Sequence, residues 1–376
     1  MKKKNLTLFF EFFDHEHLGK DPFMVPYYLG KALDCSVSIV YPLRDSNKDL
    51  PSEYKGVKFL PFAVKNEDSI YSEMYRIIWK EAKNIDYLMR FFDINASRYA
   101  AFIYKLRNPK GKVYIKMDVN PYNINNTVCK FPKAWKQIMK DKVTKPMVDV
   151  ISCETTLALE GLAASPNSYN HWGDKMVYLP NGFDESLLES LNIKEKSFAE
   201  KDNVMITVGR LGTPPKNTSM LLNALAKTDL KNWKFYLIGP IADSLKPEIE
   251  AFYQENPDKK ESVVFTGAIY DKKELWEYYN RSKAFILTSK WESFALVYTE
   301  AQRFINYIVS TKVGAASDVI LEEEYGEYIA QDDANGLARK LQNIVDGVTK
   351  IDVYRGFDVK SLSWEKRLEI IANRLR

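Results

Sequence analysis

The alternation of predicted β-strands and α-helices constrains the fold of this chain more than any other sequence feature. In the first half, apolar strands at residues 6–10, 36–41 and 112–118 are separated by helical segments. The alternation restarts at residue 204, after a polar, charged segment over 185–203 that we interpret as the domain boundary. Such an alternation is typical of parallel, doubly wound sheets. We therefore predict an α/β protein with two Rossmann-like domains.

Composition favours a folded cytoplasmic protein. With 376 residues, 45% of them hydrophobic, the chain is long enough for two domains and too apolar to be disordered. Its three cysteines are widely spaced, which excludes a disulfide framework and a cysteine metal site. No apolar run reaches the roughly 18 residues of a spanning helix, and the lysine-rich start leads into a strand rather than a signal peptide.

Positive charge is concentrated in the first part of the chain. Residues 1–150 hold 26 Lys and Arg against 17 Asp and Glu, whereas the remainder holds 28 against 33. An asymmetry of this kind suggests that the basic half meets an anionic surface.

A basic amphipathic helix is predicted within that half, over residues 131–142. Its apolar residues recur at helical spacing and its lysines line another side. Two interpretations stay open: a helix that lies on an anionic membrane, peripheral to the inner face of the plasma membrane, or a helix whose apolar side is buried in the domain. The membrane-facing candidates are Phe131, Lys133, Trp135, Lys136 and Lys140.

The most informative local pattern runs from Ser289 to Glu300. It follows an apolar strand, and Ser293 is predicted to be the N-cap of the next helix, with Glu292 before it and Glu300 two turns along. The N-terminus of a helix suits a phosphate, and a carboxylate suits vicinal hydroxyls such as those of a ribose. On spacing alone, we favour two solvated glutamates around an ordinary helix start, and the phosphate and ribose interpretation depends on the rest of the chain.

Other strand ends carry further candidates. Arg210 and Lys216 follow one predicted strand and together fit a diphosphate. Asp118 ends another strand, where open α/β sheets bind ligands, although a capping role is an alternative. His15 and His17 have the spacing of metal ligands on a strand, but we favour an ordinary loop or a substrate contact, and predict no metal site.

In this combination the chain resembles the retaining glycosyltransferases of family 4, which have the GT-B fold of two Rossmann-like domains facing a central cleft. The resemblance covers nearly the whole chain. Its matching pieces are Pro180-Asn181-Gly182-Phe183-Asp184, Gly209-Arg210-Leu211 with Lys216-Asn217, Glu292-Ser293-Phe294 with Glu300, Gly314, and Ser363-Trp364-Glu365.

The resemblance implies a role for individual residues. Arg210 and Lys216 would bind the donor diphosphate, Glu292 would hold the donor sugar, and Glu300 would bind the ribose. Asp118 stands where the family often has histidine, and is grouped with these as a catalytic candidate. The remaining donor-side candidates are Gly209, Ile269, Ser293, Phe294, Ala295, Leu296 and Gly19.

The resemblance also implies an organisation and a reaction. Residues 1–181 would bind the acceptor, residues 182–360 the nucleotide-sugar, and residues 361–376 would form a helix returning to the first domain. The expected reaction moves a sugar from a nucleotide-sugar to a glycan or lipid-linked acceptor with retention of configuration, in surface polysaccharide biosynthesis, without metal, cofactor or nucleic acid. The alternatives are a non-catalytic GT-B partner subunit and a nucleotide-sugar hydrolase or epimerase of the same fold.

The sequence departs from the family pattern at three places. One glycine, Gly19, follows the first strand where the family often has two adjacent ones, Asp118 replaces a common histidine, and Ile305 is bulky where a small residue is usual. The first two departures affect the residues expected to act on the acceptor side. None of the three changes Arg210 or Lys216, the expected diphosphate pair.

Overall fold

The computed structural model describes residues 3–120, 124 and 133–376. They divide into two compact units. Unit 1 comprises Met1–Asn181 and Trp364–Arg376, and unit 2 comprises Gly182–Ser363.

Unit 1 contains an eight-stranded sheet among the described residues, with the strand order β3-β4-β2-β1-β5-β6-β7-β8. All neighbouring strands are parallel except β3 and β4, which form an antiparallel pair at the edge. The strands are β1 (Lys4–Phe9), β2 (Cys35–Pro42), β3 (Glu53–Tyr54), β4 (Val57–Phe62), β5 (Tyr87–Phe91), β6 (Lys112–Lys116), β7 (Val150–Cys153) and β8 (Met176–Tyr178).

Helices cover both faces of this sheet. Successive residues of a strand point to opposite faces, so Leu8 belongs to one apolar cluster and Phe9 to the other. The described helices are α1 (Asp21–Ala32), α2 (Ile70–Glu81), α3 (Asn95–Arg107), α4 (Lys133–Thr144), α5 (Thr156–Ala164) and, from the end of the chain, α13 (Trp364–Leu375). The sheet is therefore doubly wound, as predicted.

The C-terminal helix α13 is part of the unit 1 core. It packs against α1, and Trp364, Leu368 and Ile371 are buried in the same cluster as β1. Its apolar residues recur at helical spacing, so this face was readable from the sequence. Arg367 also donates a hydrogen bond to the Asn181 carbonyl oxygen.

Unit 2 contains a six-stranded parallel sheet with the order β11-β10-β9-β12-β13-β14. Its strands are β9 (Val204–Val208), β10 (Lys234–Ile238), β11 (Val263–Gly267), β12 (Ala284–Leu287), β13 (Tyr307–Thr311) and β14 (Gly326–Ile329). The strand β9 lies centrally, and the connection from β11 to β12 crosses to the other side of it. The carboxyl ends of β9 and β12 are therefore neighbours at the point where the strand order reverses, which is where such sheets bind ligands.

The helices of unit 2 again cover two faces. They are α6 (Glu185–Ser190), α7 (Thr218–Ala226), α8 (Lys246–Glu255), α9 (Lys272–Arg281), α10 (Leu296–Arg303), α11 (Ala316–Ile320) and α12 (Ala334–Val345). The segment over 185–203, which we interpreted as the domain boundary, lies within unit 2 and contains α6. The Asp184 side chain accepts a hydrogen bond from Leu187 N and starts α6 there.

Candidate functional site

Two glycines allow the ends of β9 and β10 to meet. Gly239 has φ +142°, and a Cβ on it would lie 1.8 Å from the Gly209 carbonyl oxygen. A Cβ on Gly209 would lie 3.1 Å from Cε of Lys216. The loop after β9 therefore folds back so that the Lys216 side chain crosses Gly209, a path that a larger residue would obstruct.

An ion pair joins this loop to the loop after β12. Lys216 Nζ donates to Glu292 Oε1, which also accepts from Ser289 Oγ at 2.7 Å. The Lys216 and Glu292 side chains are each 15% exposed. The backbones are tied as well, since Lys290 N donates to the Pro215 carbonyl oxygen at 2.7 Å. A cation and an anion predicted from separate motifs thus meet at adjacent strand ends.

Arg210 supplies a second cation at the end of β9. Its side chain is exposed and forms no hydrogen bond or ion pair with any residue in the described ranges. An arginine held at a strand end with its guanidinium available suits a bidentate anion such as a phosphate.

The helix after β12 begins later than the sequence predicted. α10 starts at Leu296, its N-cap position is Ala295, and no side chain caps it. Ser293 is therefore not the N-cap, and it does not share a helix face with Glu300. The Phe294 carbonyl oxygen instead accepts from Ala315 N at 3.0 Å, which fixes the turn before the helix.

This turn is strained and leaves donors free. Ala295 has φ +70°, a left-handed conformation that is costly for a residue with a Cβ. Gly314 packs over the turn, where a Cβ would lie 2.7 Å from the Phe294 carbonyl oxygen. Among the described residues, none accepts a hydrogen bond from the backbone N–H groups of Phe294, Ala295 or Leu296. Three donors are thus held at the start of α10, beside Glu292.

Glu300 lies further along α10 and is held by α9. Its Oε1 accepts from Lys272 Nζ at 2.7 Å and from Trp276 Nε1 at 3.0 Å. Burial, with a further contribution from the Glu300 charge, raises the pKa of the Tyr279 hydroxyl well above its usual range. Asp271 caps α9 by accepting a hydrogen bond from Glu274 N at 2.8 Å, whereas Lys272 and Trp276 were not predicted from the sequence as partners of Glu300.

Ile269 precedes α9 and is half-buried. A separate open cavity of about 410 Å³ adjoins the outer side of the same loops and is lined in part by Thr213, Asn217 and Trp291. Neither Lys216 nor Glu292 lines it, so we do not assign it to the ion-pair site.

In unit 1, a buried lysine and several carboxylates lie at the carboxyl ends of β6 and β7. Lys116 Nζ contacts Asp21 Oδ2 and Glu154 Oε2, each at 2.9 Å, and both Lys116 and Glu154 are buried. Asp118 is exposed, two residues beyond the end of β6. Burial raises the pKa of the Glu154 carboxyl well above its usual range, Lys116 opposes this, and the charges of Asp118 and Asp21 add to it. One lysine cannot neutralise three carboxylates, and the pKa of Glu154 is therefore raised.

Sequence analysis named Asp118 from this cluster and missed Asp21, Lys116 and Glu154. A signal was present, because Lys116 interrupts an apolar strand and Glu154 directly follows another.

The loop after β1 holds the remaining predicted residues. His17 Nδ1 accepts from Asp14 N at 3.0 Å, and burial lowers its pKa. Gly19 is exposed, and a Cβ on it would meet nothing within 4 Å, so no contact there requires glycine. Within the described residues, no three His, Cys, Asp or Glu side chains are grouped to hold a metal ion.

Helix α4 resolves one open alternative. Phe131 lies outside the described residues, whereas Lys133, Trp135, Lys136 and Lys140 are all exposed. The interpretation that the apolar side of this helix is buried in the domain is wrong, because Trp135 is 57% exposed and Ile138 and Met139 are also exposed. Among the described helices, none has the length and apolar content that a bilayer-spanning helix needs.

Known proteins share parts of this sequence. Residues 189–350 match the family model described as glycosyl transferases group 1. The chain is 29% identical over 177 residues to an uncharacterized 41.2 kDa protein in the cps region of Klebsiella pneumoniae, covering 46% of this chain and 45% of that protein. It is 30% identical over 115 residues to the amylovoran biosynthesis glycosyltransferase AmsD of Erwinia amylovora, covering 31% of each. These matches span less than half the length of either relative.

Solved structures match over nearly the whole chain. The lipopolysaccharide outer core galactosyltransferase WaaB aligns with a TM-score of 0.69 and 15% identity, covering 98% of this chain and 99% of that one. Anabaena HepE in complex with UDP and glucose aligns with a TM-score of 0.65 and 14% identity, covering 100% and 99%.

This protein has the GT-B fold, and its residues 189–350 match the group 1 glycosyl transferases. The matched residues include every donor-side candidate from Gly209 to Glu300. Gly19 and the Lys116 cluster lie outside the matched range.

Proposed function

We propose that this protein transfers a sugar from a nucleotide-sugar to a glycan or lipid-linked acceptor in surface polysaccharide biosynthesis, with retention of the anomeric configuration. The observation that carries the proposal is the Lys216–Glu292 ion pair at the adjacent ends of β9 and β12, with Arg210 exposed at the end of β9. The group 1 domain match and the cps and amylovoran relatives support the same class of reaction.

In this proposal unit 2 binds the donor. Lys216 and Arg210 bind the diphosphate, and Glu292 accepts hydrogen bonds from the sugar hydroxyls. The free N–H groups at the start of α10 donate to the sugar or diphosphate, as donors at a helix N-terminus do. Glu300 binds the ribose hydroxyls while α9 holds its Oε1.

Unit 1 binds the acceptor, and Asp118 is the exposed carboxylate of its strand-end cluster. Lys116, Asp21 and Glu154 hold the strand ends beneath it. The family resemblance, not the geometry, is the basis for this division of roles and for retention.

The chemistry follows from where charge develops. The bond between the sugar C1 and the diphosphate oxygen breaks, and its electron pair goes to the diphosphate, whose added charge Lys216 and Arg210 stabilise. The acceptor hydroxyl oxygen forms the new bond to C1 on the same face, and its proton goes to the departing phosphate oxygen. No metal is required in this scheme, since two cationic side chains serve the diphosphate.

A donor panel tests the proposal. The protein is incubated with UDP-, GDP-, ADP- and dTDP-sugars, and thermal shift and nucleoside diphosphate release are measured with and without a lipid-linked or glycan acceptor. A ligand at 100 times its dissociation constant adds about 2.7 kcal/mol of stability. We expect the sugar donors of one nucleotide to raise the thermal stability of the protein by binding to unit 2. The corresponding nucleoside diphosphate should be released only when an acceptor is present. Equal release without acceptor would indicate a hydrolase, and no shift with any donor would refute the proposal.

A further inference from the structure

Helix α4 is attached to unit 1 by its polar side. Asp141 is buried and accepts from Arg98 Nη1 at 2.7 Å and from Gln137 Nε2 at 2.8 Å. Arg98 is buried and lies against the rings of Tyr169 and Trp172, at 3.7 and 4.7 Å from the ring centroids. The orientation of α4 is thus set by a charged contact.

The apolar side of α4 therefore points away from the unit. At about 100° per residue, the face of Gln137, Asp141 and Thr144 lies roughly 145° from the face centred on Trp135, Ile138 and Met139. These three apolar side chains are 57%, 42% and 44% exposed, and Val143 at 46% extends the stripe. Large apolar side chains grouped on one exposed face mark a site that another surface covers.

The charges around the stripe indicate which surface. α4 carries the four lysines Lys133, Lys136, Lys140 and Lys142, all exposed, and its one acidic residue, Asp141, is turned inward and paired. At about 100° per residue, Lys142 lies within the apolar face and Lys136 lies at its border beside Val143, whereas Lys133 and Lys140 lie toward the side of Asp141. A tryptophan and aliphatic side chains with these two lysines match an anionic lipid surface, where the ring lies at headgroup level and the lysines meet phosphates. A protein partner would need an apolar groove with an acidic rim. This requirement is more restrictive than that of an anionic bilayer, so we favour the bilayer.

We propose that α4 docks unit 1 on an anionic lipid bilayer, with Trp135, Ile138 and Met139 inserted at the interface and Lys136 and Lys142 on the headgroups. This proposal does not depend on the transferase activity, since it concerns the exposed face of one helix.

The test is co-sedimentation of the full chain with vesicles of phosphatidylglycerol and phosphatidylcholine, and with vesicles of phosphatidylcholine alone, at low and high salt. We expect binding to the anionic vesicles to weaken as salt rises. Each lysine near such a surface contributes about a fivefold factor in partitioning, so Lys136→Glu/Lys142→Glu should lower it at least tenfold. Trp135→Ala should lower it severalfold.

Matched controls exist in the same unit. Lys58→Glu/Lys65→Glu makes the same change of charge at exposed lysines outside α4, and Trp79→Ala removes a tryptophan that is 47% exposed on α2. Both should bind vesicles within about twofold of the wild type.

Three results would overturn the proposal. The first is equal binding to neutral and anionic vesicles, or no binding to either. The second is a lysine control that loses as much binding as the α4 variant. The third is a concentration-dependent dimer, measured by light scattering, that Trp135→Ala dissociates. The last result would assign the stripe to a second copy of the chain. Circular dichroism of each variant checks that the fold is retained.

Discussion

Replacing Lys216 by methionine separates catalysis from stability. Methionine keeps much of the side-chain length and removes the charge that pairs with Glu292. If Lys216 binds the diphosphate, the loss of one preorganised charge should lower kcat/KM by about 10²–10³-fold.

The effect on stability should be much smaller. Two unit charges at 4 Å attract by about 4 kcal/mol at an effective dielectric constant of 20, and desolvation cancels much of this. Since both side chains are 15% exposed, we expect a net cost of about 1–2 kcal/mol. A domain of this size loses about 2–4 °C in Tm per kcal/mol, so the variant stays folded at assay temperature.

The assay is initial-rate transfer at saturating and limiting donor, with Tm measured on the same samples. The control is Lys340→Met, which breaks a comparable ion pair with Glu327 in unit 2, where the two side chains are 30% and 20% exposed. Lys216→Met activity above about a tenth of the wild type at saturating donor would refute the assignment. An equal loss in the control would attribute the effect to folding.

Four further outcomes are expected. Arg210→Ala should lower turnover by at least tenfold without lowering Tm, since its side chain has no described partner; a Tm loss of several degrees measured by calorimetry would argue for a structural role. Glu300→Ala should chiefly weaken donor binding in calorimetric titration, and an unchanged donor affinity would remove its ribose role. Transfer should persist in excess EDTA, and activity that disappears there and returns with magnesium or manganese would contradict the metal-free scheme. Because the pKa of Glu154 is raised in the folded state, the stability that its proton contributes is fully present below the unfolded-state pKa. This stability is lost as the pH rises to the folded-state pKa, by about 1.4 kcal/mol per pH unit. Glu154→Gln should abolish this slope in urea titrations at several pH values, and an unchanged slope would contradict the raised pKa.

Local patterns predicted most of the fold. Strand β9 begins at Val204, where the alternation was predicted to restart, because an apolar run is a property of adjacent residues. The Lys216–Glu292 ion pair was also foreseeable in part, since both residues follow strands whose ends adjoin in a doubly wound sheet.

Contacts between distant residues were beyond local reasoning. Ser293 has the chemistry of an N-cap, but Gly314 and Ala315 fix the turn around Phe294, so α10 starts later. The contact of Lys116 with Glu154 spans 38 residues, and no periodicity reports it.

Helix α4 illustrates the same limit. Its amphipathic pattern was evident, but which side faces the unit depends on the buried Arg98, which the periodicity of α4 cannot reveal. Sequence reasoning therefore left two interpretations open, and the structure excludes burial of the apolar side.

The membership of α13 in unit 1 has a consequence for synthesis on the ribosome. Unit 2 is in effect an insertion between Asn181 and Trp364, so the helix that covers α1 is translated only after the whole of unit 2. At about 5–20 residues per second, unit 1 would wait on the order of 10–40 s for it, with the apolar surface of α1 uncovered. Nascent unit 1 should therefore bind ribosome-associated chaperones until Trp364 and Leu368 emerge.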